Sequence, residues 1–412
     1  MTATAKRRLV GVDVARGIAL IGMMAIHILP DTDENFEPTL SWTLFSGVSA
    51  GLFALLAGIS LTFTSGGRRP LTGRALTAAK SALAVRAGII LAIGLLIASL
   101  HPPAAIILAY YGILFLMAVP LLGRGPRVLA SAALGFAVLG PVFMQAVRDD
   151  LPALDGLDPT FASLVTEPVA TMSVLLVDGT YPAIPWMAYI CAGLALGRLD
   201  LGSHAVQVKV ALGGLGLALG SWLLSELLLG PFGGRTRLLE STPWLGPKEI
   251  RAVQIWGPDP TLPTTSWWWL SILSPYSSTP LEIFNTIGLA AVALAAMLIL
   301  ANKAAPALTP LSAMGGMTLT LYSAHLVALS TGFLQNRPGV ALAIHTVATA
   351  LFAVIWRNVT AGKPGPLERL VSSGANRARK RVLAGPAPAG PPSVDGAGAA
   401  MSSGAEFREG PH

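Results

Sequence analysis

Charge is scarce in this chain. Only 12% of its 412 residues are Asp, Glu, Lys or Arg, against 53% hydrophobic, and the mean hydropathy is +0.64. That poverty excludes a soluble enzyme of this length and points to a membrane-embedded protein, all-α, whose partner is membrane lipid. The polar–apolar alternation of an outer-membrane β-barrel is missing too; the apolar runs are continuous over about 20 residues, the length of a spanning helix. Cysteine is almost absent. Cys191 is the single one, inside an apolar run, which excludes a disulfide and a cysteine metal site. There is no phosphate-binding glycine loop, no dinucleotide fingerprint and no metal motif, so no metal is expected. The formal net charge of +7 lies beside the apolar runs, where it reads as topology and gives no reason to expect a nucleic-acid partner. Lys6, Arg7 and Arg8 precede an apolar run, but that run lacks the small-residue cleavage site of a signal peptide.

What is present is a polytopic integral membrane helix bundle of about ten transmembrane helices. The expected spans are 9–29, 40–64, 82–101, 104–122, 128–147, 182–198, 209–230, 281–302, 308–331 and 339–357. Residues 162–177 read as a re-entrant or surface helix. Basic residues alternate sides: Lys6 to Arg8, Arg68 to Lys80, Arg124 and Arg127, Arg198 and Lys209, Lys303, and Arg357 to Arg381 share one side. Acidic loops (Asp31 to Glu37, Asp149 to Asp158) take the other. Both termini are therefore expected to be cytoplasmic in a plasma-membrane protein, with the long segments 148–181 and 231–280 outside. Residues 1–382 form one multi-pass domain. The Pro- and Gly-rich stretch 383–412 reads as a disordered cytoplasmic tail.

The first span is unusual. It carries Asp13, Arg16 and His27, where a lipid-facing helix carries no charge. Eleven residues at 100° each bring Arg16 and His27 onto one face, on the order of 16 Å apart along the axis. Asp13 lies one turn from Arg16, within ion-pair reach. The bland alternative is a structural pair plus an interfacial histidine, but such groups are costly in lipid and mark function by default. The topology places His27, His101, His325 and His345 at one depth in the outer half, as an outward-facing polar pocket. The inner half gathers Arg16, Arg86, Arg68 and Arg69, a set suited to a phosphate-bearing ligand; Arg68 and Arg69 could equally serve topology alone. Acyl-coenzyme A fits that layout as a co-substrate. Its anionic nucleotide would stay at the arginines, and its thin arm would bring the thioester to His27 as general base or acyl carrier.

The opening Arg8-Leu-Val-Gly-Val-Asp13-Val-Ala-Arg16 through His27 resembles membrane acyltransferases related to heparan-α-glucosaminide N-acetyltransferase, and the bacterial YeiB-type multi-pass family. Its Arg, ten residues, His spacing is similar to the acyltransferase-3 motif. Further segments look like these families: Leu96 to His101 with Tyr110-Tyr111-Gly112, Tyr181 to Arg198, Ser274 to Pro280, Met317 to His325, and Gly365-Pro366-Leu367-Glu368. The resemblance covers about residues 8–370. It implies a helical-bundle acyltransferase using acyl-CoA, acetyl-CoA above all. It also implies a catalytic histidine in the segment after the first span, yet Pro30 to Thr39 holds none; His27 is the nearest candidate.

The expectation is thus a transmembrane acyl-CoA-dependent O- or N-acyltransferase acting on an extracytoplasmic sugar or glycolipid of the cell envelope. His27 is the catalytic candidate. Asp13, Arg16, Arg68, Arg69 and Arg86 are the donor-binding candidates, with Asp13 orienting Arg16. His101, Tyr111, Trp186 and His325 are the acceptor-pocket candidates. A homodimer is compatible with this reading. The competing reading is a transporter or lipid carrier that uses the same pocket without chemistry; its usual inverted repeat is not visible in the sequence.

Overall fold

A computed structural model describes residues 9–384, except 157, together with residue 410. The described residues are helical, with one isolated antiparallel bridge, Thr32 to Pro38, and no strand. In chain order the helices are α1 (Val10–Ile28), α2 (Leu40–Phe45), α3 (Val48–Thr64), α4 (Gly73–Ala98), α5 (Ile107–Ala118) and α6 (Pro126–Val147). Then come the short α7 (Phe161–Thr166) and α8 (Pro168–Ser173), α9 (Ala183–Gly197), α10 (His204–Leu229), α11 (Gly234–Ser241) and α12 (Pro247–Trp256). The chain closes with α13 (Pro280–Ala304), α14 (Thr309–Gly315), α15 (Thr318–Ser330), α16 (Pro338–Val359) and α17 (Pro366–Ala384).

Among the described residues seven helices, with α2 and α3 taken together over Leu40–Thr64, are long and apolar enough to cross a membrane, or eight if the bent pair ending in α9 counts as one span. Ten spans are expected from the sequence, and the difference lies in apolar segments that are short or broken. Besides 40–64, which divides at Ser46 and Gly47 into α2 and α3, three of the expected spans are not single long helices. Residues 104–122 make the 12-residue α5, which tightens into a 3₁₀ turn containing Pro120; proline there cannot donate the next helical hydrogen bond. Residues 182–198 make the 15-residue α9, which meets Pro168–Asp178 at 46°. Residues 308–331 break at Gly315 to Met317 into α14 and α15. The expected re-entrant segment 162–177 is this bent arm: α7, α8 and a π-turn over Val174–Asp178. The third helix starts at Gly73, nine residues before the expected 82, so Arg74, Lys80 and Arg86 all ride on α4.

Buried apolar side chains form one main core across α1, α3, α4, α5, α9 and α15. A second core, including Val12, Leu52, Leu55, Ile59 and Leu294, joins α1, α3 and α13. Glycine makes α1 the hub. A Cβ at Gly315 would run into the Asp13 carbonyl oxygen, and one at Gly17 into that of Leu311. Only glycine lets the α14–α15 break lie directly on α1 beside Asp13 and Arg16.

The two ends of the bundle are tied differently. At one end the buried Arg198 donates to the carbonyls of Gly67 and, at 2.6 Å, Leu122. Arg74 donates to the Val382 carbonyl at 2.9 Å, which lays α17 along α4. The other end holds the segments after α1, α4, α6 and α10. Trp42 Nε1 donates to Ile255 O at 2.9 Å, and Arg148 pairs with Asp178 at 2.7 Å and donates to Leu262 O at 2.9 Å. Leu229, Leu238, Ile250, Leu262, Trp269 and Ile272 make a small core of their own there. The expected 383–412 tail begins inside α17; beyond Ala384 it lies outside the described residues, apart from residue 410, as do Lys6, Arg7 and Arg8.

Candidate active site

A cavity of about 420 Å³ runs between α1, α3, α4, α5, α15 and α17. This is within the roughly 300–1,000 Å³ of small-molecule sites. Asn376 and Arg379 stand at its outer part, on the segment of α17 leading to the end tied by Arg74. Arg16, Ser60, Arg86 and Glu368 stand along it, between apolar walls of Ala57, Leu83 and Phe115. Tyr111 and Tyr322 line it as well, and the Tyr322 ring lies 6.1 Å from that of His27.

The groups along this path differ in how completely they are bonded. Arg16 donates to Asp13 at 2.8 Å and also to Ser60; Asp13 is buried. The pair is held together because a carboxylate left alone at that depth would cost several kcal/mol, on the order of 3–5 when a partner is removed. Arg86 differs. Its Nε is buried with no hydrogen-bond partner, while its guanidinium lies 5.7 Å from the Phe115 ring centre. The Tyr111 hydroxyl is likewise buried and unpartnered. Each such group costs about 1–3 kcal/mol unless something satisfies it. Both residues line the cavity, although these two atoms are themselves sealed from it; the remainder of the Arg86 side chain is only partly buried. Glu368 instead closes the wall, accepting from the Thr320 amide at 3.1 Å and its hydroxyl at 2.5 Å.

Past Tyr322 the histidines meet. His27 Nδ1 is 3.2 Å from His325 Nε2, and His325 Nδ1 is 2.8 Å from His345 Nδ1. The first two rings are parallel within 9° and the second pair is edge-on at 87°. His101 is not in this group. It is exposed, in the turn after α4, with φ +50°. Trp186 lies away from the cavity in an aromatic nest, 5.0 Å from Tyr181 and 4.9 Å from Tyr189, with Nε1 donating to Ser278 at 3.2 Å. Arg68 pairs on the surface with Asp200 at 2.9 Å, and Arg69 is exposed; neither lines the cavity.

Of the ten residues expected at the site, the structure joins Arg16, Arg86 and Tyr111 around the cavity, Asp13 through its ion pair, and His27 with His325 beyond Tyr322. Arg68, Arg69, His101 and Trp186 lie apart. Sequence reasoning assigned no role to Ser60, Tyr322, Glu368, Asn376 or Arg379. The one signal for the last two was the basic run of 369–381, which reads equally well as topology. Nor did it single out Glu282, buried in α13 and bonded to Thr286 at 2.9 Å and Tyr189 at 3.2 Å. Outside the spans, burial pushes the Asp158 carboxyl up to about 6, against the opposing N–H of Ile106 at 3.0 Å. The exposed Asp33 is held low by the N–H groups of Glu37 and Asn35. Among the described residues no cluster of His, Cys, Asp or Glu is arranged to hold a metal ion.

No curated protein matches the chain. Residues 8–220 match the family described as heparan-alpha-glucosaminide N-acetyltransferase, catalytic. The match covers just over half of the 412 residues, and the chain belongs to that family of membrane acyltransferases.

Proposed function

We propose that this family member moves an acyl group, acetyl above all, from cytoplasmic acyl-CoA to an extracytoplasmic sugar or glycolipid across the plasma membrane. The end bearing Arg74 and Arg198 faces the cytoplasm in this reading, because basic loops stay inside. The observation that carries it is the cavity itself: Arg379 at its outer part, an unpartnered Arg86 within, and Tyr322 beside His27. Arg86 and Arg379 bind the donor phosphates, and Asp13 holds Arg16 in place for the same task. The apolar walls suit a pantetheine arm, and the acyl group is presented at His27. There His27 takes the proton from the acceptor hydroxyl or amine as the new bond to the acyl carbon forms. The carbon–sulfur bond breaks, and the sulfur leaves as thiolate and is protonated to the thiol. His325 stands against His27, and Trp186 and His101 belong to the acceptor side of the bundle.

The test uses the full chain in lipid nanodiscs with acetyl-CoA as donor and glucosamine as probe acceptor. Thiol release that depends on both, with acetylated glucosamine as product, is expected. Binding of acetyl-CoA without any thiol release would favour the transporter or carrier reading. For orientation, Thr72→Cys and Lys248→Cys, both exposed positions, are labelled in intact cells. Lys248→Cys should react from outside and Thr72→Cys only after the membrane is opened; the reverse pattern would remove cytoplasmic donor access.

A further inference from the structure

His27, His325 and His345 come from α1, α15 and α16 and form one continuous row, with N···N separations of 3.2 and 2.8 Å. A neutral imidazole has one N–H and one lone pair. His325 uses both of its ring nitrogens inside the row. Its single proton therefore points either toward His345 or toward His27, and the whole row has two bonded arrangements of opposite direction. In the first, His27 Nδ1–H donates to His325 Nε2, and His325 Nδ1–H donates to His345 Nδ1. His27 Nε2 then carries a lone pair, as a general base requires. Thr349 bonds the backbone carbonyl of His345 at 2.7 Å and leaves its ring to the row.

We propose that the three imidazoles are a proton relay, in which His325 and His345 take up the proton that His27 removes from the acceptor. This rests on the acyl-transfer reading of the site. The acceptor O–H or N–H bond breaks, and its electron pair becomes the bond to the acyl carbon. The carbon–sulfur pair leaves on sulfur, and the proton goes to His27 Nε2. The Nδ1 proton of His27 shifts to His325 Nε2, and the Nδ1 proton of His325 shifts to His345 Nδ1. His345 is then the imidazolium and the other two rings are neutral. The reverse shifts return a proton to His27 and on to the thiolate, so the row ends as it began and no net proton is consumed. Neither shift needs a ring to move at these separations. The charge travels from a ring against the reacting centre through His325, 1% exposed, to His345, 9% exposed.

The experiment measures thiol release from acetyl-CoA with glucosamine in nanodiscs, across mixtures of light and heavy water. The wild type should give a bowed dependence on deuterium fraction, because more than one proton moves in the transition state. His325→Gln offers a carbonyl to His27 Nδ1–H, which preserves the orientation of that ring but passes no proton. Its rate should fall roughly tenfold, less than the ~10²-fold of removing the base itself, and its plot should be straight. His345→Asn keeps an acceptor at the Nδ1 position and should give reduced curvature; it decides the question if His325→Gln fails to bind coenzyme A. A straight wild-type plot, or curvature unchanged in a variant that binds coenzyme A, overturns the relay alone. No thiol release by the wild type overturns the acyl-transfer reading and the relay with it.

Discussion

The cavity wall and the histidine row beyond it differ in how their polar groups are bonded. Arg86 and Tyr111 line the cavity, and Arg86 Nε and the Tyr111 hydroxyl are buried without partners. Toward the other end the Tyr110 and Thr171 hydroxyls and Gln145 Oε1 are also buried without partners, but none of these residues lines the cavity, and the groups nearest His27 complete one another. The three histidines bond in a row, Glu282 is met by Tyr189 and Thr286, Trp186 by Ser278, and Arg148 by Asp178 and Leu262. An unfinished set of donors next to a cavity is a set awaiting a ligand. A finished set fixes geometry. On the proposed function, the contrast would separate binding from chemistry, with arginines for the donor and imidazoles for the transfer.

Substitutions at four positions sharpen this comparison, beginning with the largest effect. His27→Gln should insert normally and bind coenzyme A as the wild type does, yet lose transfer by at least ~10²-fold. An amide keeps a hydrogen bond but cannot take a proton. Transfer at the wild-type rate would move the chemistry away from the histidine row. Arg86→Gln should do the converse, raising the KM for acetyl-CoA roughly tenfold with kcat little changed, the signature of lost donor binding. Arg86→Lys should rescue it only in part, since an ammonium cannot make the forked contact of a guanidinium with phosphate. An unchanged KM in Arg86→Gln would leave that arginine with a structural task.

The third effect is smaller and depends on pH. Burial raises the Asp158 carboxyl from 3.8 to about 6. The folded protein therefore holds this proton more tightly than the unfolded chain does. The stability it contributes is fully present below about 3.8 and is lost as pH rises through 6. Asp158→Asn should remove that component, flattening the fall in melting temperature between those values; an identical slope in the variant would contradict the assignment. The smallest effect is expected of Arg68→Ala. Its pair with Asp200 is 66% and 48% exposed, and such pairs contribute about 0–1 kcal/mol. Neither melting temperature nor the KM for acetyl-CoA should change measurably, and a large rise in KM would extend the donor site to the surface loop.

What could be read in the sequence follows the range of each signal. Asp13, Arg16 and His27 share one helix, so helical periodicity alone aligned them. The depths of His325 and His345 followed from alternating topology, but their bonding to His27 depends on how α15 and α16 pack, which no local pattern encodes. His101 shows the limit of depth as a guide, because the chain turns outward there. Some of the ten expected spans are not single long helices among the described residues because hydropathy registers apolar length and not continuity; Pro120 and Gly315 to Met317 interrupt runs that remain apolar throughout. Helix α17 escaped for the opposite reason. Pro366–Ala384 is polar and basic, without an apolar run, yet it walls the cavity through Val371, Asn376 and Arg379. The family match ends at residue 220, whereas Tyr322, His325, His345 and Arg379 lie beyond it. The site is complete only when the two halves of the chain fold together.

The central claim is that the cavity between α1, α4 and α17 receives acyl-CoA with its sulfur toward His27. An electron-microscopy map of the full chain in nanodiscs with saturating coenzyme A tests it most directly. Phosphate density is expected at Arg86 and Arg379, with the thiol end beside Tyr322 and His27. Coenzyme A density elsewhere on the molecule, with this cavity holding none, would contradict it.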